Sequence, residues 1–160
     1  MNTTNAMTNE VQLHELIRPD TISLVLKGKT KQEIIDELID LMDGAGLLLD
    51  RFAVREAVIE RERIVSTGLE NGLAVPHGKT TGVDHLVGAL GIKPDGIPFD
   101  AADGHPSKIF FMLISPMSVS GPHVRALGSI ARFLRDEKRR EQILSATSAE
   151  KIIQLFREVR

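Results

Sequence analysis

The chain of 160 residues contains no cysteine, no tryptophan and no tyrosine. Without cysteine it can form neither a disulfide framework nor a thiolate zinc site. Its net charge is -2, so we expect no general electrostatic attraction to nucleic acid or to an anionic membrane surface. Apolar residues make up 42% of the chain, which is typical of a globular protein with an ordinary core.

Long apolar runs are also missing, so we expect no segment that spans a bilayer. The first residues have neither a basic start nor an apolar centre, and we therefore predict no signal peptide and a cytoplasmic location. A chain of this length holds one domain with a full core. We predict a flexible N-terminal segment over residues 1–10 and a single domain over residues 11–160.

Two helices are predicted in the first half of the chain. Thr30 and Glu33 form a capping box, and the helix that follows closes near Gly44 at a residue that tolerates positive φ. Asp50 caps a second helix that runs to about Arg63. The residues predicted to enter the core are Ile34, Ile35, Leu38, Ile39, Met42, Phe52, Val54, Ala57 and Val58.

Strands are predicted over residues 22–26, 85–92 and 108–114, with a turn at residues 94–96. The run over 108–114 is continuously apolar, which is typical of a strand buried on both faces at the centre of a sheet. The sequence therefore predicts a single layered α/β domain, with a mixed β-sheet flanked by helices on both faces.

The last third of the chain is predicted to be helical. Pro122 suits the first position of a helix, which places His123 in the first turn, where free amides attract anions. The buried stripe of this helix is predicted to contain Val124, Leu127, Ile130, Ala131 and Leu134. A capping box at residues 147–150 opens a final helix.

The chain is best understood around His77. The short apolar run of residues 73–75 indicates a buried strand, and Pro76 should end its hydrogen-bond ladder because it lacks a donor. Gly78 can adopt dihedrals that are closed to other residues and lets the backbone approach a ligand. His77 is therefore expected at a strand end with its imidazole directed outward.

A neutral imidazole at this place can attack phosphorus and carry the phosphoryl group as phosphohistidine. Lys79, with Arg61 or Arg63, could neutralise the added charge. The alternative is that Pro-His-Gly is only a turn. A nucleotide-binding P-loop is rejected, because five residues separate Gly72 from Gly78 where four are needed.

Two stretches resemble one family. Residues 61–79, RERIVSTGLENGLAVPHGK, resemble the active-site signature of phosphotransferase-system (PTS) enzyme IIA domains of the fructose/mannitol type, which include the nitrogen-regulatory IIA proteins. Residues 121–132, GPHVRALGSIAR, resemble the segment that carries the second histidine of the family. The similarity covers nearly the whole chain, from about Val11 to the C-terminus. Glu70 departs from the small residue expected between the two motif glycines, and its carboxylate would repel a bound phosphate.

The resemblance implies a phosphoryl carrier in which His77 accepts the group and His123 and Arg61 flank it. It also implies that the donor is the histidine-containing phosphocarrier protein. The phosphate then passes to a IIB domain in a sugar-transport protein. In a regulatory protein of the nitrogen type, which we favour, phosphorylation instead changes the binding of a target protein. We expect no fused IIB or membrane domain. No cofactor is implied, and a homodimer is left open. The residues expected to support the phosphate pocket are Ser66, Thr67, Gly68, Asn71, Gly78 and Lys79.

Two hypotheses of other classes are kept beside this one. The first is a regulatory binding module that is never phosphorylated, which Glu70 favours. The second is a metal hydrolase built from His77, His85, His105 and His123, although these lack helical ligand spacing and an adjacent catalytic glutamate. We predict no metal site, and we expect His85 and His105 on the surface.

Overall fold

A computed structural model describes residues 12–158, so the segment predicted over residues 1–10 lies outside the described part of the chain. Two 3-10 helices come first, at Leu13–Glu15 and Pro19–Thr21. The strands are β1 Ile22–Ser23, β2 Leu73–Ala74, β3 His77–Thr80, β4 Val87–Ile97 and β5 Ser107–Pro116. The α-helices are α1 Lys31–Gly44, α2 Arg51–Ile64, α3 Gly121–Leu134, α4 Glu137–Leu144 and α5 Ala149–Arg157.

The five strands form one mixed sheet with β5 at its centre. β4 pairs antiparallel with β5 on one side and carries β1, which is parallel to it, at the edge. On the other side, β2 and β3 both pair parallel with β5, one after the other along its length. The predicted mixed sheet is confirmed, and the register places His77 opposite Leu113 of the central strand.

Helices cover both faces of the sheet, as predicted. Ile109, Phe111 and Leu113 of β5 enter a core cluster with α3 and α5, and this cluster also includes Leu13 of the first 3-10 helix. Phe110, Met112 and Ile114 alternate with them and enter a second cluster, beneath α1 and α2. All six side chains are buried, which is the two-sided burial expected of the central strand.

The N-caps of α1 and α2 are the residues that the sequence predicted. The Thr30 hydroxyl accepts from the Glu33 amide at 3.1 Å, and Asp50 accepts from the Ala53 amide at 3.1 Å. The Glu33 carboxylate reaches back to the Lys29 amide at 2.7 Å, so the reciprocal bond of the box is displaced by one residue.

The strand predictions need three corrections. The first strand covers only Ile22–Ser23, although the Leu26 amide still donates to the Ile92 carbonyl. β4 begins at Val87 and continues to Ile97, so residues 94–96 lie within an irregular stretch of strand. Pro76 interrupts pairing with β5 but does not end it. Its carbonyl accepts from the Leu113 amide, and β3 resumes at His77.

The helix predictions were wrong at several positions. Gly44 is still helical, and the positive φ belongs to Gly46. Phe52 and Val124 are exposed, because Phe52 lies two residues from the buried Val54 and Val124 lies next to the buried His123, so both project away from the buried stripe. Pro122 follows Gly121 as the second residue of α3. The final helix is capped by Ser148 and not by Thr147.

Candidate functional site

His77 is held where the strand resumes after Pro76. Its Nδ1 lies 2.8 Å from the Val75 carbonyl oxygen, two residues back along the chain. Because a carbonyl can only accept, Nδ1 carries the hydrogen and donates it. The lone pair of the neutral ring is therefore on Nε2. Burial lowers the pKa of His77 from its usual value, as does the nearby charge of Arg61, while the Val75 bond raises it. The net effect keeps the imidazole neutral at pH 7.

His123 lies in the first turn of α3, the helix that follows β5. Its ring centroid lies 5.6 Å from that of His77, with 55° between the ring planes. The side chain is buried, and its Nδ1 is 2.7 Å from the Ser115 hydroxyl near the end of β5. Burial, followed by the electrostatic influence of the His77 ring and of the Lys79 ammonium, lowers the pKa of His123 to about 4. Two imidazoles that are neutral at pH 7 therefore lie next to each other.

Arg61 lies in the last turn of α2, beside the same site. Its Nη1 donates to the Val65 carbonyl at 2.8 Å, which ties the guanidinium to the end of its own helix. A cavity of about 170 Å³ lies between this helix end and His77. It is lined by Arg61, Ser66, Thr67, Leu69, Val75, His77 and Leu127. The site is large enough for a small anionic group and contains one fixed cation.

The loop over residues 66–68 is tightly built. The Ser66 hydroxyl donates to the Phe99 carbonyl at 2.7 Å and accepts from the Gly68 amide at 3.0 Å. A Cβ on Gly68 would lie 2.9 Å from both the Phe99 carbonyl oxygen and the Ala101 Cα. Only glycine fits at this position without movement of the backbone. The loop is therefore fixed against the segment that follows β4.

The other residues predicted to support the pocket fall in three places. Gly78 is buried, and a Cβ at this position would lie 3.1 Å from the Cβ of Ala57 in α2. The absence of a side chain therefore allows β3 and α2 to pack closely. Lys79 donates to the Ser120 hydroxyl at 2.7 Å, beside the start of α3. Asn71 is exposed and has a positive φ, and its backbone N–H donates to the Asp103 carboxylate. The structure does not bring Asn71 to the cavity of His77.

Glu70 is also turned away from the site. It is exposed and lines a separate groove with Asn71, Ala102 and Arg135, among other residues. His85 and His105 are exposed, as predicted. No group of three or more potential metal ligands occurs within residues 12–158.

Three residues of the site were missed by the sequence reasoning. Ser115 and Ser120 hold the side chains of His123 and Lys79. Glu62 was not among the predicted site residues, yet it is buried and accepts from the amide and the hydroxyl of Thr67. Its position beside Arg61 in the motif was the one available signal, because the alternating Arg and Glu residues of α2 are typical of an exposed helix face.

Residues 15–159 match the family described as "Phosphoenolpyruvate-dependent sugar phosphotransferase system, EIIA 2". The chain belongs to this family, as the resemblance predicted, and is thus of the class of phosphotransferase components. None of the helices formed by residues 12–158 is long and apolar enough to cross a membrane.

Similar proteins come from both branches of the family. The chain is 36% identical over 146 residues to the PTS system fructose-specific EIIABC component of Bacillus subtilis, of which it spans only 23%, while 91% of the chain is covered. It is 36% identical to the fructose-specific EIIA component of Haloferax volcanii, over 88% of the chain and 91% of that protein. The structure of the nitrogen regulatory protein IIA-Ntr from Neisseria meningitidis superposes with a TM-score of 0.81. It has 27% identity and covers 91% of this chain and 99% of that one.

Proposed function

We propose that this protein is a phosphoryl carrier that accepts the phosphoryl group on Nε2 of His77. The observation that supports this most directly is the pair of neutral imidazoles 5.6 Å apart beside the cavity of Arg61. Nucleophilic attack needs an unprotonated ring nitrogen, and the bond from Nδ1 to Val75 leaves Nε2 as that nitrogen.

The transfer is a displacement at phosphorus. The Nε2 lone pair forms the new P–N bond, while the P–N bond of a phosphorylated donor histidine breaks and its electron pair returns to the donor ring. No proton has to leave His77, so its ring becomes formally cationic. The Val75 carbonyl, which already accepts from Nδ1–H, then stabilises the positive charge of that ring.

The negative charge of the phosphoryl oxygens is balanced by the groups around the cavity. The Arg61 guanidinium supplies a permanent positive charge and several donors. When the Ser115 hydroxyl donates to Nδ1 of His123, the hydrogen of that neutral ring is on Nε2, which can donate to a phosphoryl oxygen. Donors placed in advance where charge develops supply most of the stabilisation in phosphoryl transfer.

The donor we propose is the histidine-containing phosphocarrier protein, and the output we favour is regulation of a target protein according to phosphorylation. The alternative output is transfer to a IIB domain of a fructose-type transporter. Similarity to both fructose-specific and nitrogen-regulatory proteins supports each of them. The Glu70 carboxylate, which favoured an unphosphorylated binding module, lies in a separate groove and gives that hypothesis no support.

The test is labelling with radioactive phosphoenolpyruvate, enzyme I and the phosphocarrier protein. We expect the wild type to be labelled and His77→Ala to remain unlabelled. The matched control is His85→Ala, which removes an exposed histidine and should be labelled like the wild type. Equal labelling of His77→Ala, or no labelling of the wild type, would refute the proposal. Adding a purified fructose-type IIB domain then separates the two outputs, because only the sugar-transport output transfers the label to it.

A further inference from the structure

Glu62 is a buried carboxylate next to the cation of the site. It lies in the last turn of α2, immediately after Arg61, and only 8% of its surface is exposed. Burying a carboxylate is costly unless charge and hydrogen bonds compensate it. Its partners are the Thr67 amide at 2.9 Å, the Thr67 hydroxyl at 2.5 Å and the Lys31 ammonium at 2.8 Å.

These bonds continue through the backbone to the reactive ring. The Thr67 carbonyl accepts from the Val75 amide at 3.0 Å. The Val75 carbonyl in turn accepts from Nδ1 of His77 at 2.8 Å. Glu62 is therefore connected to the imidazole by three consecutive hydrogen-bonded contacts, through two residues that both line the cavity.

Lys31 holds the same carboxylate, at the oxygen that also accepts from the Thr67 amide. Lys31, at the start of α1, also binds Asp100 at 3.1 Å and lies 4.9 Å from the centroid of the Phe99 ring. Burial lowers the pKa of Lys31, but its bonds to Glu62 and Asp100 outweigh this and raise it above the usual value. α1, α2 and the segment after β4 thus meet at the ion pair of Lys31 and Glu62.

We propose that Glu62 is a positioning residue of phosphoryl transfer, holding Thr67 and Val75 so that Nδ1 of His77 keeps its hydrogen and Nε2 keeps the lone pair. This inference rests on the proposed function, since it concerns the same reactive nitrogen. The charge of Glu62 also opposes that of Arg61 at the imidazole: it raises the pKa of His77, whereas Arg61 lowers it.

The variant that tests this is Glu62→Gln. A glutamine has the same shape but one acceptor oxygen, so it loses one of the two bonds to Thr67 and the charge that faces Lys31. Glu60→Gln is the matched control on the same helix, because Glu60 is exposed and pairs only with Arg63 among the ion pairs of the described residues. Two readouts are compared: the ¹⁵N resonances of the His77 ring and the rate of phosphorylation by the phosphocarrier protein.

For Glu62→Gln we expect the two ring nitrogen resonances to move toward each other, because the ring no longer keeps one tautomer. We expect phosphorylation to slow by about ten- to a hundred-fold, which is the size of effect that a misplaced reacting group produces. Glu60→Gln should change neither readout. Thr67→Ser, which keeps both bonds to the carboxylate, should keep the wild-type ring resonances, whereas Thr67→Val should shift them.

A folded Glu62→Gln protein with wild-type ring resonances would overturn the inference, whether or not its phosphorylation rate had fallen. If Glu62→Gln does not fold, Thr67→Val decides, because it leaves the buried pair of Glu62 and Lys31 intact. The ring resonances are measured without any phosphate donor. A wild type that is never phosphorylated would therefore refute the proposed function, while the tautomer comparison would still test this inference.

Discussion

His123 should make the protein less stable in acid, and the size of the effect follows from its burial. The unfolded chain binds a proton at this imidazole below about pH 6.5. In the folded protein the ring is shielded from water and faces His77 and Lys79, so its pKa is lowered to about 4. Between these two values the unfolded state binds more protons, and stability therefore falls as the pH falls.

The magnitude is set by the interval between the two pKa values. At about 1.36 kcal/mol per pH unit, the interval from 6.5 to about 4 amounts to about 3 kcal/mol. The contribution of His123 to stability is fully present above pH 6.5 and declines between pH 6.5 and about pH 4. Below about pH 4 the titration of this group changes the stability no further. Since domains of this size are stable by about 5–15 kcal/mol, the loss is large enough to measure.

The perturbation we suggest is His123→Asn. The asparagine amide can still accept from the Ser115 hydroxyl but has no proton to gain, so the pH-dependent part of the stability disappears. Urea unfolding followed by far-ultraviolet circular dichroism suits a chain without tryptophan. From pH 7.5 to 4, the free energy of unfolding of the wild type should fall by about 3 kcal/mol more than that of the variant.

A control separates this effect from the general titration of the surface. His85→Asn removes an exposed imidazole and should reproduce the pH dependence of the wild type. Parallel curves for wild type and His123→Asn over the whole range would refute the reasoning, because they would show that the imidazole titrates alike in the folded and unfolded states.

Two further predictions concern the loop beside the cavity. Gly68→Ala should lower the free energy of unfolding by about 1–3 kcal/mol, as overpacking usually does, because the new Cβ would lie 2.9 Å from atoms of Phe99 and Ala101. Urea unfolding measures this change, and an unchanged midpoint would contradict the prediction. Glu70→Ala should leave the rate of phosphorylation within about two-fold of wild type, since its carboxylate is exposed and in a separate groove; a large acceleration would show that Glu70 repels the incoming phosphate.

Much of the fold could be predicted because its local signals agree with its packing. The apolar run that became β5 is buried on both faces, and Thr30 and Asp50 cap the helices that the sequence indicated. The buried positions of α1 were all assigned correctly. In these elements, the pattern of apolar residues and the capping side chains specify the same structure.

Two of the errors arise where a polar residue occupies a buried position. On α3 the stripe was predicted to include Val124, but His123 is the buried residue and Val124 is 65% exposed. Treating the histidine as polar displaced the start of the pattern by one residue, which is about 100° around a helix. Glu62 was missed for the same reason, since its burial depends on Lys31, thirty-one positions earlier in the chain. Such a contact between residues far apart in the sequence cannot be predicted from the local periodicity of apolar residues.

Both imidazoles are held in place by contacts with the central strand β5. His77 is paired with β5 opposite Leu113, and His123 is bonded to Ser115 two residues further along that strand. The innermost strand of a sheet is commonly among the last parts of a protein to exchange its amide hydrogens. The distance between the two rings therefore depends on the part of the fold that opens least often. Transient fraying of the terminal helices leaves this distance unchanged.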